Sequence, residues 1–142
     1  MNGLEVLDCA TCIELLRGEH IGRLGLTVDA LPAILPVDYC VLDDQIVFRT
    51  VPGTKLAAAT RGAVVAFEVD HEDVETAERW SVLVVGVAHP MARRELADSE
   101  WRVDHLGPWI RREDTVPVSI ALDVISGRRL VLSRAQRAAA LD

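Results

Sequence analysis

The sequence predicts a small, mainly β domain: a β-barrel decorated by a few short helices. Three observations predict it. Six or seven short runs are β-rich, several alternating apolar with polar residues, and turn residues such as Gly, Pro and Asp punctuate them. Helical spacing is confined to a few brief stretches. The chain has 142 residues, half of them hydrophobic and 26% charged, which is the balance of one globular domain spanning 1–142.

Taken in order, residues 4–17 (LEVLDCATCIELLR) have helical spacing, with Leu4, Leu7, Ile13, Leu15 and Leu16 on one broad apolar stripe. Asp8 can cap an inner helix start, and Gly18 can stop it. The period then changes. His20 to Thr27 alternates Ile21, Leu24 and Leu26 with polar residues or Gly, as a half-buried strand does. Pro32 to Leu42 reads as a second strand, in which Pro36 predicts an edge, a bulge or a ligand-facing kink. Asp43-Asp44 marks a turn, and Gln45 to Thr50 is a third strand.

Pro52-Gly53 breaks the pattern, and Thr54 to Thr60 is Ala-rich and short, like one or two helical turns. Ala63 to Asp70 and Trp80 to His89 are β-rich runs joined by an acidic loop, read as a solvated hairpin loop. Residues 91–102 have a helical pattern, and 103–115 are irregular around Gly107-Pro108. Val116 to Val124 and Arg128 to Ser133 complete the strands, with a break at Ser126-Gly127. The tail from Arg134 reads as a short helix or frayed end.

Charge and cysteine content exclude several classes. The formal charge is −7, from 15 Lys+Arg against 22 Asp+Glu, so a general nucleic-acid binder is not expected. No apolar segment approaches the roughly 18–20 residues of a membrane span, and no secretory leader is read at the N-terminus. Three cysteines (Cys9, Cys12, Cys40) cannot all pair internally. The expectation is a cytoplasmic protein in a reducing compartment.

The chemistry concentrates in Arg49-Thr50-Val51-Pro52-Gly53-Thr54-Lys55. Lys55 is the only lysine; the other fourteen cations are arginines. No acid lies between Asp44 and Glu68, whereas Arg49, Lys55 and Arg61 all do. The segment is therefore a positive island in an acidic chain. A strand end, a Gly-containing turn and a helix start present amide groups and the Thr50 and Thr54 hydroxyls to an anion. A phosphate monoester fits. The competing reading is a set of solvated charges around an ordinary loop.

Trp80-Ser81 opens an apolar strand and is a second candidate, a wall for a planar aromatic ligand. Its competing reading is a strand-end Trp packed on the core. Cys9 and Cys12 have C-x-x-C spacing, but no second pair or neighbouring His completes a zinc set, so no metal is expected. The four histidines are scattered. No side chain is assigned as a catalytic acid, base or nucleophile.

In order, IGRLGL, LPAILPVDYCVLDDQIVFRTVPGTKL, VAFEVD, RWSVLVVGVA and ISGRRL follow an N-terminal helix. This order resembles the pyridoxamine 5′-phosphate oxidase-like family of split β-barrels. It is most similar to the small bacterial branch that includes nitroimidazole-resistance-type reductases. The resemblance spans about Leu4 to Leu130.

It implies a homodimer with one flavin mononucleotide (FMN) in each of two clefts between subunits. It also implies that Arg49, Thr50 and Lys55 hold the phosphate. The strand Pro36-Val37-Asp38-Tyr39 would lie near the isoalloxazine ring, and Trp80, Ser81 and Arg128 would line the same cleft. Thr54 joins them from the residue-level reading. The activity implied is an oxidoreductase passing electrons from a reduced nicotinamide or other donor to a small molecule. Related barrels bind the deazaflavin F420 or haem, and a non-catalytic flavin-binding dimer is a further alternative. The substrate-phosphate arginine and histidine pattern of the true pyridoxamine-phosphate oxidases is not found near the C-terminus.

Overall fold

The computed structural model describes residues 3–92 and 115–140. Eight strands form one sheet: β1 (Leu4–Leu7), β2 (Ile21–Val28), β3 (Leu31–Leu42), β4 (Gln45–Thr50), β5 (Val64–Glu72), β6 (Glu78–Pro90), β7 (Val116–Ala121) and β8 (Val124–Val131). Among the described residues three helices decorate it: α1 (Cys9–Arg17), α2 (Lys55–Ala59) and α3 (Arg134–Ala140). The strand order is β1-β8-β6-β5-β2-β3-β4-β7, and an added β6–β7 pairing closes β6, β5, β2, β3, β4 and β7 into a six-stranded barrel. Strands β8 and β1 extend the sheet outside it. The architecture is a split β-barrel.

Strand β3 joins the two parts of the barrel. Its Leu31–Asp38 stretch pairs with β2, and its Tyr39–Leu42 stretch pairs with β4. Both hairpins around it turn on two residues with positive φ, Asp29-Ala30 and Asp43-Asp44. Such turns match the right-handed twist of the strands they join. Inside, Leu16, Leu24, Phe48, Phe67, Val82 and Ile120 are fully buried. Tyr39 is buried among them, edge-on to Phe67 at 4.8 Å, and its hydroxyl donates to the Leu16 carbonyl at 2.6 Å. That bond ties α1 to β3.

Four expectations need correction. The helical stripe over 4–17 divides: Leu4–Leu7 is a strand, and the helix starts after Asp8. The Asp8 side chain accepts from Thr11 N at 2.8 Å, and the Gly18 amide bonds back to the last turn. Leu4 to Leu7 instead pair with Gly127–Leu130 of β8. The break at Ser126-Gly127 is absent, and β8 runs through it. Gly127 is there for close approach: a Cβ on it would stand 2.5 Å from Cys12 Sγ and 3.3 Å from Leu7 Cδ1. The acidic loop is shorter than read, because β5 extends to Glu72 and β6 begins at Glu78. Among the described residues the strands number eight rather than six or seven, six of them in the closed barrel and two outside it. The helical pattern over 93–102 and the irregular 103–114 fall outside the described residues.

Candidate functional site

Strand alternation gives the extended sheet two faces. Val65, Phe67 and Val69 of β5 point inward, and Ala66, Glu68 and Asp70 point out. On β6, Trp80, Val82 and Val84 point inward, and Ser81 and Leu83 point out. Register then builds rows across the outer face. Arg128, Ser81 and Asp70 stand in one row across β8, β6 and β5. Ser126, Leu83, Glu68, Arg23 and Pro36 form the next, from β8 to β3.

The Arg23 guanidinium clamps two carboxylates at the middle of this face, at 2.6 Å from Asp70 and 3.2 Å from Glu68. The hydrogen bond to Asp70, reinforced by the charge of Glu68, raises the Arg23 pKa above its ordinary value. Two cavities adjoin there. One, of about 570 Å³, is lined by Arg128, Ser81, Trp80, His71, Leu130 and Asp70 among others. The other, of about 500 Å³, is lined by Pro36, Ile34, Arg23, Glu68 and Asp70 among others. Asp70 belongs to both, so the two form one groove across the sheet. At its edge His71 Nδ1 lies 3.2 Å from Glu19, and its ring stacks on Trp80 at 6.0 Å. Among the described residues Arg128 makes no ion pair.

The positive island lies around the end of β4 and the start of α2. Thr54 is the N-cap of α2: its hydroxyl accepts from Ala57 N and donates to the Val51 carbonyl at 2.7 Å. Thr50 is buried, with its hydroxyl toward the Val116 carbonyl. Arg49 donates to Thr115 at 2.9 Å. Lys55 Nζ lies 2.7 Å from Asp29 in the β2–β3 turn. The fold thus supplies an acid that the linear sequence placed 26 residues away.

The structure therefore brings Pro36, Ser81 and Arg128 to one groove, with Trp80 at its border and its indole turned to the core. Arg49, Thr50, Thr54 and Lys55 cluster separately, outside those two cavities. Val37 packs against the core and Tyr39 is part of it. Trp80 and Ser81 face opposite sides of the sheet: the indole joins the core at 9% exposure, and Ser81 is exposed. Sequence reasoning missed Arg23, Glu68 and Asp70. Alternation alone puts Arg23 opposite Leu24, but its carboxylate partners come from β5, about 45 residues later. Among the described residues, no cluster of His, Cys, Asp and Glu could hold a metal ion, and no helix is long and apolar enough to cross a membrane.

The family model described as pyridoxamine 5′-phosphate oxidase matches residues 8–129. The chain belongs to this family. Rv0080, an uncharacterized protein of Mycobacterium tuberculosis, is 34% identical over 130 residues, covering 88% of this chain and 84% of its own. The structure of a FAD-binding protein from Mycobacterium smegmatis superposes with a TM-score of 0.74 at 34% identity, covering 89% of this chain and 98% of the other. A FAD-binding protein from Mesorhizobium loti shares the fold at 23% identity, with a TM-score of 0.73 and coverage of 89% and 97%.

Proposed function

We propose that this chain is a flavin-binding oxidoreductase acting as a homodimer, with FMN as its cofactor. The observation that carries the reading is the groove running from Arg128 and Ser81 past Asp70 to Pro36, on an open face. It is partly apolar, as a planar ring requires. The phosphate end would be held by Arg49 and Lys55, with Thr54 beside them. Lys55 already pairs with an oxyanion, the Asp29 carboxylate, which supports a phosphate oxygen taking that place. When bound, the flavin supplies the redox chemistry between a reduced nicotinamide or other donor and a small acceptor. The side chains bind, orient and exclude water.

Exposed apolar side chains on this face support the dimer. Ile21, Ile34, Val64, Leu83 and Val124 all lie on it, each at least 42% exposed. Several large apolar side chains exposed on one face are the kind of surface a partner covers. A second copy of the same face would cover it and close the groove. Light scattering at micromolar concentration tests this, and a monomer opposes it.

A second reading is FAD, favoured by the M. smegmatis relative at 34% identity. FAD contains the FMN moiety, so the same residues serve both. Denaturing the purified protein and weighing the released cofactor separates FMN, FAD and F420. A colourless protein that takes up none of the three overturns the proposal.

A further inference from the structure

Cys9 and Cys12 occupy the first and fourth positions of α1. Helix positions three apart share a face, with Cα atoms about 5 Å apart. That lies inside the roughly 4.4–6.8 Å range that a disulfide accepts. The Cβ atoms, about 5–6 Å apart in a regular helix, must close by about 1–2 Å. That movement falls on the first turn, where the Cys9 and Ala10 amides are not tied by an i→i−4 bond. It is held by Asp8, whose side chain accepts from Thr11 N at 2.8 Å and whose carbonyl accepts from Cys12 N at 3.0 Å.

The two thiols differ in access. Cys9 is exposed and Cys12 is fully buried. Cys12 Sγ is pressed against the β8 backbone at Gly127, where a Cβ would stand 2.5 Å away. Burial, with the neighbouring Cys9 as the next cause, raises the Cys12 pKa. An exposed thiol followed three residues later by a sheltered one, at a helix start, is the arrangement of an attacking and a resolving cysteine.

We propose that Cys9 and Cys12 form a thiol–disulfide exchange site that reacts with small-molecule disulfides. Cys9 loses its proton to solvent, and its thiolate attacks one sulfur of the incoming disulfide. The old S–S bond breaks, and the departing thiolate takes up a proton. Cys12 then loses its proton and attacks Cys9 Sγ in the mixed disulfide, expelling the second small thiol. The two cysteines are oxidised by two electrons, and one small disulfide is reduced to two thiols. The second step is intramolecular and gains the corresponding effective concentration. Closing the bond draws Cys12 Sγ away from Gly127, whose neighbour in β8 is Arg128. The redox state of α1 is thereby felt at the strand that lines the groove. The exchange chemistry is independent of flavin binding.

The test uses the full-length protein and oxidised glutathione. The expected product is lighter by two hydrogen atoms, with one thiol titratable in denaturant, from Cys40, and a linked peptide spanning residues 9–12. Dithiothreitol restores all three thiols. Cys12→Ser should stop at a glutathione adduct on Cys9, and Cys9→Ser should slow thiol loss by about tenfold or more. A stable Cys9 adduct in the unmodified sequence, with Cys12 still titratable in denaturant, overturns the proposal. So does loss of Cys40 before Cys12. If Cys12→Ser does not fold, the mass and thiol count of the unmodified sequence decide alone.

Discussion

Lys55 and Asp29 form an ion pair of 2.7 Å between the start of α2 and the β2–β3 turn. Both side chains are more than two-thirds exposed, at 78% and 67%. An exposed pair of this kind contributes at most about 1 kcal/mol to stability. Its importance is competition, because the carboxylate occupies the ammonium group proposed for phosphate. Asp29→Asn should leave the unfolding midpoint nearly unchanged and tighten flavin binding a few-fold. Fluorescence titration reads the affinity; weaker binding would show that Asp29 orients Lys55 rather than competing for it.

Lys55→Ala removes the ammonium group itself. A charge-assisted hydrogen bond contributes about 1.5–3 kcal/mol. The expected loss is roughly ten- to a hundredfold in FMN affinity. An unchanged dissociation constant would remove Lys55 from the phosphate site.

Gly127→Ala adds a Cβ 2.5 Å from Cys12 Sγ and 3.3 Å from both Leu7 Cδ1 and the Ser81 carbonyl. Overpacking of this kind costs about 1–3 kcal/mol. Cys12→Ala in the same chain removes the nearest atom, so the double variant should recover part of the loss. Urea unfolding of the two single variants and the double measures the coupling. Strict additivity would mean that β8 shifts away from α1 without strain.

Most strands were legible because their alternation is local. His20 to Thr27 and Gln45 to Thr50 fall within a residue or two of the observed strands. The cap at Asp8 and the stop at Gly18 were legible for the same reason. The strand character of Leu4–Leu7 was not, because it depends on pairing with Gly127–Leu130, far along the chain. Gly127 reads as a breaker until Cys12 is known to lie against it. At the candidate site, the island around Lys55 was visible as a run without acids. Asp29 was invisible as its partner, and so was the Arg23 clamp, since each needs residues brought together by the sheet.

Tyr39→Phe separates a structural role from a binding role. The hydroxyl donates to the Leu16 carbonyl at 2.6 Å in the core. Removing it leaves the Leu16 carbonyl with the long 3.4 Å bond from Glu19 N, at a cost of about 0.5–1.5 kcal/mol. Flavin affinity should not change. A selective loss of affinity with normal stability would instead place the Tyr39 side chain in the binding site.

Cys40 makes alkaline stability a sensitive probe of the β3–β4 packing. Burial is the main cause that pushes its thiol from 9.0 to about 12, with Arg49 opposing. In the unfolded chain the thiol ionises near its ordinary value; in the folded chain it keeps its proton until much higher pH. The native state therefore binds more protons within that window, and stability falls as pH rises through it. The contribution is complete below about pH 9 and declines toward pH 12. The slope for one such group is at most about 1.4 kcal/mol per pH unit. Tyr39, also raised by burial, adds to the same decline from a higher starting point. Cys40→Ala should flatten the first part of the profile, and adding Tyr39→Phe should flatten the rest. Urea midpoints measured from pH 8 upward check this; a Cys40→Ala profile parallel to that of the unmodified sequence would show that the thiol ionises as freely in the folded protein as in the unfolded one.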